Sequence, residues 1–180
     1  PDPSLPIGGG SFFDFVARFP DGATIGAGQE MSISLTGSDD FFDAYGVMPH
    51  FELYEDGASA DDVPDLVPAR PGSIVDNETQ LPGLSNSGEV AILFYWDGTT
   101  DLVTDVDYVL WGDTDEAVDK TGVAIDGPDA DATSTAYQPD TPIASQQLAG
   151  FGNPSGVFVR VDETEGTQDA AGGNGVDGRD

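Results

Sequence analysis

Residues Val90 to Trp96 read Val-Ala-Ile-Leu-Phe-Tyr-Trp, seven apolar side chains in succession. The run is far short of the roughly 18 residues that cross a bilayer as a helix. Its richness in β-forming residues is the pattern of a strand covered on both faces. Asp97-Gly98 opens a turn behind it, and apolar residues return at Val106, Tyr108, Val109, Leu110 and Trp111. That order predicts a β-hairpin with a loop longer than the tightest two-residue kind. Trp96 and Trp111 are expected to anchor a core. A strand apolar on both sides also needs a neighbour on each edge. The return strand supplies one, and the other edge is expected to be filled either by residues upstream of Pro1 in the native protein or by a strand from another chain.

The rest of the chain is broken into short pieces by 24 Gly and 13 Pro, which predicts many turns and few long helices. Met31, Ile33 and Leu35 alternate with Ser32, Ser34 and Thr36, the period of a half-buried strand. His50 to Tyr54 reads as another strand. Ser11 precedes Phe12, Phe15, Val16 and Phe19 at the spacing of a helical face, and Pro20 with Gly22 ends that segment. Ser38 with Asp39 and Asp40 opens a second short helix, whose apolar side is Phe41, Phe42 and Tyr45 and whose stop is Gly46. Residues 56–80 and 113–142 read as long acidic loops, the second around a short Val123-Ala124-Ile125 element. Val157 to Val161 is the last strand, and residues 163–180 form a flexible Gly/Asp-rich tail. Asn77-Glu78-Thr79 has the form of a glycosylation sequon and is set aside as chance. The fold class is mainly β, in a chain long enough to bury a core.

Thirty-four acidic residues face five basic ones, Arg18, Arg70, Lys120, Arg160 and Arg179, for a net charge of −29. Such a surface repels nucleic-acid phosphates and anionic headgroups, which argues against nucleic-acid binding and membrane insertion. It fits a marine or otherwise saline setting, or clustered carboxylates that hold divalent cations. Cysteine is absent, so disulfides and thiolate chemistry are excluded. The chain begins Pro-Asp-Pro-Ser without an initiator Met or a signal peptide, and reads as an internal piece of a longer precursor.

Several segments carry a resemblance. Gly83-Leu84-Ser85-Asn86-Ser87-Gly88-Glu89 before an apolar strand resembles the "LSNSGE" turn of bacterial lamin tail domains. Asp107-Tyr108-Val109-Leu110-Trp111-Gly112 fits the return strand of the same hairpin. Val157-Phe158-Val159-Arg160-Val161-Asp162 is similar to the family's closing strand, and Phe19 to Ile25 with Gly28 and the Met31 to Leu35 strand resemble the segment leading to its middle strand. The resemblance covers about residues 19–162. It implies an immunoglobulin-like β-sandwich, to which the spacing read above adds one or two short helices and long acidic loops, after a lead-in with a short helix over residues 1–18. It also implies a secreted or cell-surface protein with no catalytic residues in the domain itself. The family's opening "ISE" strand and its "E-aliphatic-Glu-aliphatic-Asn" strand are missing here.

Catalytic patterns are weak. His50 is the single histidine, no Gly-x-Ser-x-Gly elbow occurs, and no phosphate loop or dinucleotide fingerprint is present. With 34 acids, pairs at glycosidase spacing arise by chance. Calcium is the best chemical hypothesis, since hard oxygen donors on loops suit it, beside the default reading of these segments as solvated acidic loops. The metal candidates are Asp126, Asp129 and Asp131 in one Gly/Pro turn, and Asp113, Asp115 and Asp119 in a second cluster. Neither follows the EF-hand pattern. Gly172 to Asp177 matches the start of a calcium-binding nonapeptide repeat, but it occurs once and reads as tail. No cofactor is required by anything else in the chain.

These readings lead to a non-catalytic extracellular structural or adhesive module that joins a protein partner, or a second copy of itself, through a sheet edge. The alternatives are an accessory domain of a larger secreted nuclease or phosphatase, and a calcium-stabilised binding module. Self-repulsion at this net charge destabilises the compact state when the Debye length is long, about 30 Å at 0.01 M salt against about 3 Å at 1 M. Thermal melts across that range should show Tm rising with added NaCl. A flat response would contradict this reading.

Overall fold

The computed structural model describes residues 14–54, 61–74, 83–149 and Val159. They fall into two compact units, Pro1–Leu84 and Ser85–Asp180. The expected lead-in up to residue 13, the sequon, the Val157–Val161 strand apart from Val159, and the Gly172–Asp177 segment lie outside the described residues. Among the described residues the fold is mainly β: small sheets, one short α-helix and long irregular connections.

In the first unit, β1 (Ala17–Arg18) pairs antiparallel with β4 (Val67–Pro68), and β2 (Ile33–Ser34) runs parallel to β3 (Phe51–Glu52). The segment over Phe15 to Arg18 is thus extended rather than the helix its spacing predicts. The reason is non-local. Val16 donates its N–H to the Ser73 carbonyl at 2.9 Å and accepts one from Ala69 at 3.1 Å, so its backbone groups are engaged across the unit. Phe15 and Ala17, two apart, both touch the core. The expected 56–80 loop likewise contains β4, where Pro68 sits in a two-residue edge pairing that does not need its missing N–H.

The core of this unit is Phe51, Leu53 and Leu66, with Phe15, Ala17, Ala23, Met31, Leu35, Tyr54 and Ile74 packed around it. Phe19 meets Phe51 edge-on at 5.3 Å. The alternation predicted for Met31 to Leu35 holds at its ends and fails in the middle, where Ile33 is exposed and Ser34 is buried. Ser34 turns inward because its hydroxyl donates to the Gly37 carbonyl at 2.5 Å, closing the bend into the next element. That element, α1 (Ser38–Tyr45), forms where the sequence places it. Its C-terminus is sealed by Gly46, whose left-handed backbone aims its N–H at the Phe42 carbonyl at 2.7 Å. Its apolar side stays largely outside: Phe42 and Tyr45 are exposed, while Ser38 is buried and donates its hydroxyl to Asp61.

The second unit is built on the expected hairpin, β5 (Glu89–Tyr95) and β6 (Thr104–Trp111). Tyr108 and Leu110 are buried under Val90, Ile92, Ala117 and Val118. A second hairpin pairs β7 (Ala124–Ile125) with β8 (Thr135–Ala136), and a 3-10 turn follows at Ile143–Ser145. Ala149 then bridges to Trp111 on the outer side of β6. The expectation that β5 is covered on both faces is not met among the described residues. It pairs with β6 alone, and Leu93, Phe94, Tyr95 and Trp96 are exposed. Trp96, 44% exposed, is not a core anchor, because its indole N–H closes the following turn on the Thr100 carbonyl at 2.7 Å. Trp111 is half-buried and donates to the Ser85 carbonyl at 2.9 Å.

Burial separates positions that the alternating pattern treats alike. Leu110→Ala should cost about 2–5 kcal/mol, because it empties a fully buried site. Ile33→Ala, on the surface, should stay within roughly 0.5 kcal/mol. Urea unfolding, with circular dichroism for both variants and tryptophan fluorescence for Leu110→Ala, measures both. Equal losses would overturn the assignment of Ile33 to the surface.

Candidate functional site

The turn after β5 is organised by one carboxylate. Asp97 Oδ1 accepts the N–H of Thr99 at 2.8 Å and of Thr100 at 2.8 Å, together with both threonine hydroxyls. These bonds, the Thr100 N–H foremost, favour the charged form and lower the Asp97 carboxyl to about 2. The turn delivers Asp101 to a second loop. Asp101 Oδ1 accepts the Gly127 N–H at 2.8 Å, and Oδ2 accepts the Thr135 hydroxyl at 2.5 Å. The hydroxyl first, then the N–H, hold Asp101 below the usual carboxylate range. The loops approach so closely that a Cβ on Gly127 would stand 2.7 Å from the Thr100 carbonyl oxygen. Only glycine fits there.

This approach groups Asp101 with Asp126 and Asp129. Each offers a carboxylate oxygen, and these oxygens lie within 4.8 Å of one another, with Asp101 half-buried and the other two exposed. Oxygens bound to one calcium ion at 2.3–2.6 Å can span about 5 Å across it, so the spacing fits a hard divalent cation completed by water. Two of the six sequence candidates are therefore brought together.

The other four are not in this group. Asp131 Oδ1 accepts the Thr133 N–H at 2.7 Å, Asp119 Oδ1 accepts the Thr121 N–H at 2.9 Å, and Asp113 Oδ1 accepts the Asp115 N–H at 3.0 Å. Hydrogen bonds from the Thr121 hydroxyl and N–H lower the Asp119 carboxyl as well. Asp101, missed from the sequence, lies 25 positions before Asp126 and belongs to a turn that the hairpin pattern locates but does not aim.

His50 faces Ser32. Its Nδ1 accepts the Ser32 N–H at 3.1 Å and lies 3.0 Å from the Ser32 hydroxyl, while the His50 N–H reaches that hydroxyl oxygen at 3.3 Å. This cross-link ties β2 to β3. Nδ1 is already occupied by a fixed backbone donor, so the pair reads as a structural contact rather than a nucleophile with its base.

The turn quoted for the lamin-tail resemblance is also built from local bonds: Ser87 N–H to Ser85 Oγ at 3.2 Å, and Ser85 N–H to Glu89 Oε2 at 3.4 Å. No family model, curated protein or solved structure matches the chain. Among the described residues no helix is long and apolar enough to cross a membrane.

If Asp101, Asp126 and Asp129 hold calcium, the ion stabilises the fold by mass action. With a Kd near 10⁻⁴ M, in the range of extracellular modules, tenfold excess over Kd gives roughly 1.4 kcal/mol. Calcium should raise Tm over a chelator control, Asp101→Asn should abolish the rise, and Asp113→Asn should retain it. A response shared equally by all three proteins would rule out this group.

Proposed function

We propose that this chain is a non-catalytic structural or adhesive module of the extracellular lamin-tail type, an immunoglobulin-like sandwich completed by a strand from another chain. One observation carries the reading. The most apolar segment of the sequence forms β5, and among the described residues it is paired along one side only while its last side chains face solvent. On the other strand of the hairpin, the outer side of β6 receives Ala149. Among the described residues the remaining edge is that of β5. Backbone groups along that edge would offer hydrogen bonds to an incoming strand, and its exposed aromatics apolar area.

The charge sets the conditions for such pairing. Two copies at −29 each repel until salt screens them. A less acidic partner, or saline surroundings, favours association. The Asp101 group supports a second, compatible reading in which calcium stiffens the loops beside this hairpin.

Sedimentation velocity over a range of protein concentrations at high salt tests the edge. We expect concentration-dependent self-association that Phe94→Lys with Tyr95→Lys removes, since edge lysines block strand addition. A species that stays monomeric at every concentration and salt, or that associates equally in the lysine variant, would defeat the proposal.

A further inference from the structure

Lys120 is the chain's single lysine. Its ammonium is paired with Asp105 of β6 and lies 3.8 Å from Asp140 Oδ2. All three side chains are withdrawn from solvent, at 15%, 11% and 8% exposure for Lys120, Asp105 and Asp140. The Tyr137 ring lies beside the group, 5.7 Å from Nζ to its centroid. We propose that this is a self-modification site, where Lys120 and Asp105 condense into an intramolecular amide with Asp140 as the proton relay. The inference stands apart from the edge-pairing and calcium readings.

The two carboxylates are not equivalent. Asp140 Oδ2 accepts the Lys120 N–H at 3.0 Å and its Oδ1 accepts the Thr141 N–H at 2.9 Å, so both its oxygens are held. Asp140 N–H in turn donates to the Thr121 hydroxyl at 2.9 Å. Asp105 is the carboxylate in direct contact with Nζ, and it is the one placed to lose an oxygen. An ion pair needs one acid. The second is left to move protons.

The step balances within the site. The Lys120 ammonium passes a proton to the Asp105 carboxylate, leaving a neutral amine against a neutral carboxyl. Nζ attacks Cγ of Asp105 and the N–C bond forms. Asp140 takes a second proton from the nitrogen and delivers it to the departing hydroxyl. The C–O bond breaks and one water leaves. Asp140 ends unchanged, and no oxidant or reductant is consumed. Holding amine and carboxyl in contact supplies the proximity that a bimolecular condensation lacks. Burial keeps water from the product, and replacing two buried charges with a neutral amide removes their desolvation cost. The new amide N–H is left facing Asp140.

Intact-mass spectrometry of the purified chain, followed by tryptic digestion, tests the proposal. The expected chain is lighter than its sequence by one water, resists trypsin at Lys120, and yields a single tryptic peptide in which Lys120 and Asp105 close an internal loop. Lys120→Arg should have the full mass. Asp140→Asn should cut the rate of condensation about a hundredfold or more, the usual contribution of a positioned general base. A wild-type chain of full mass, whose Lys120 is acylated by an amine reagent once unfolded, would overturn the proposal. So would a water loss that persists in Lys120→Arg, which would place it in a cyclic imide at an Asp-Gly step. Condensation of Asp140→Asn at the wild-type rate would remove Asp140 from the mechanism.

Discussion

The register of the β5–β6 ladder shifts once, between Leu93 and Phe94: Leu93 faces Asp107, while Phe94 faces Asp105. Val106 is thus the extra residue of a β-bulge, and it is exposed. A strand alternates its side chains, so an added residue reverses which positions turn inward. Beyond the bulge Tyr108 and Leu110 are buried, and before it the buried position is odd-numbered, Asp105. Without the shift the carboxylate would share the outward parity of Asp107 and Val109. The contact with Lys120 therefore rests on one inserted residue. So does the environment of Tyr108, whose hydroxyl donates to Gln146 Oε1 at 2.8 Å and accepts the Val118 N–H at 3.1 Å. Burial first, with the nearby charges of Asp140 and Asp105 adding to it, pushes the Tyr108 hydroxyl's pKa up.

Aspartate has two uses in this chain that composition does not distinguish. Six described examples are turn-formers, in which a carboxylate oxygen accepts an N–H two residues further on: Asp61, Asp97, Asp113, Asp119, Asp129 and Asp131. Asp101, Asp105 and Asp140 instead reach partners across loops. An acidic residue inside a Gly/Pro-rich loop therefore marks a bend more often than it marks a ligand.

Legibility followed the range of the interactions. The hairpin, the helix from Ser38 to Tyr45 and its Gly46 stop could be read because apolar spacing and capping chemistry are local. The strand at Ala17–Arg18 could not, since its partner is 50 residues away and the same phenylalanine spacing also suits a helix. Ser34 defeated the alternating pattern through a hydroxyl bond to Gly37, which hydropathy does not record. In the acidic loops the sequence pointed to Asp126 and Asp129, while Asp101 entered through a turn whose direction depends on the Asp97 bonds and on the close approach of Gly127.

Gly112 follows β6 with a left-handed backbone, φ 80°, and a side chain built there would run into the Ser87 carbonyl. The two constraints are independent: one forbids the conformation to other residues, the other forbids the volume. The acidic turns around it are permissive by comparison, because asparagine or serine accepts the same N–H as aspartate. As related sequences diverge, the loops can exchange residues freely while this position cannot. The pairing of Gly112 with the Ser87 bend is then a fixed point by which distant members of such a lineage could be aligned after the rest of their similarity has worn away.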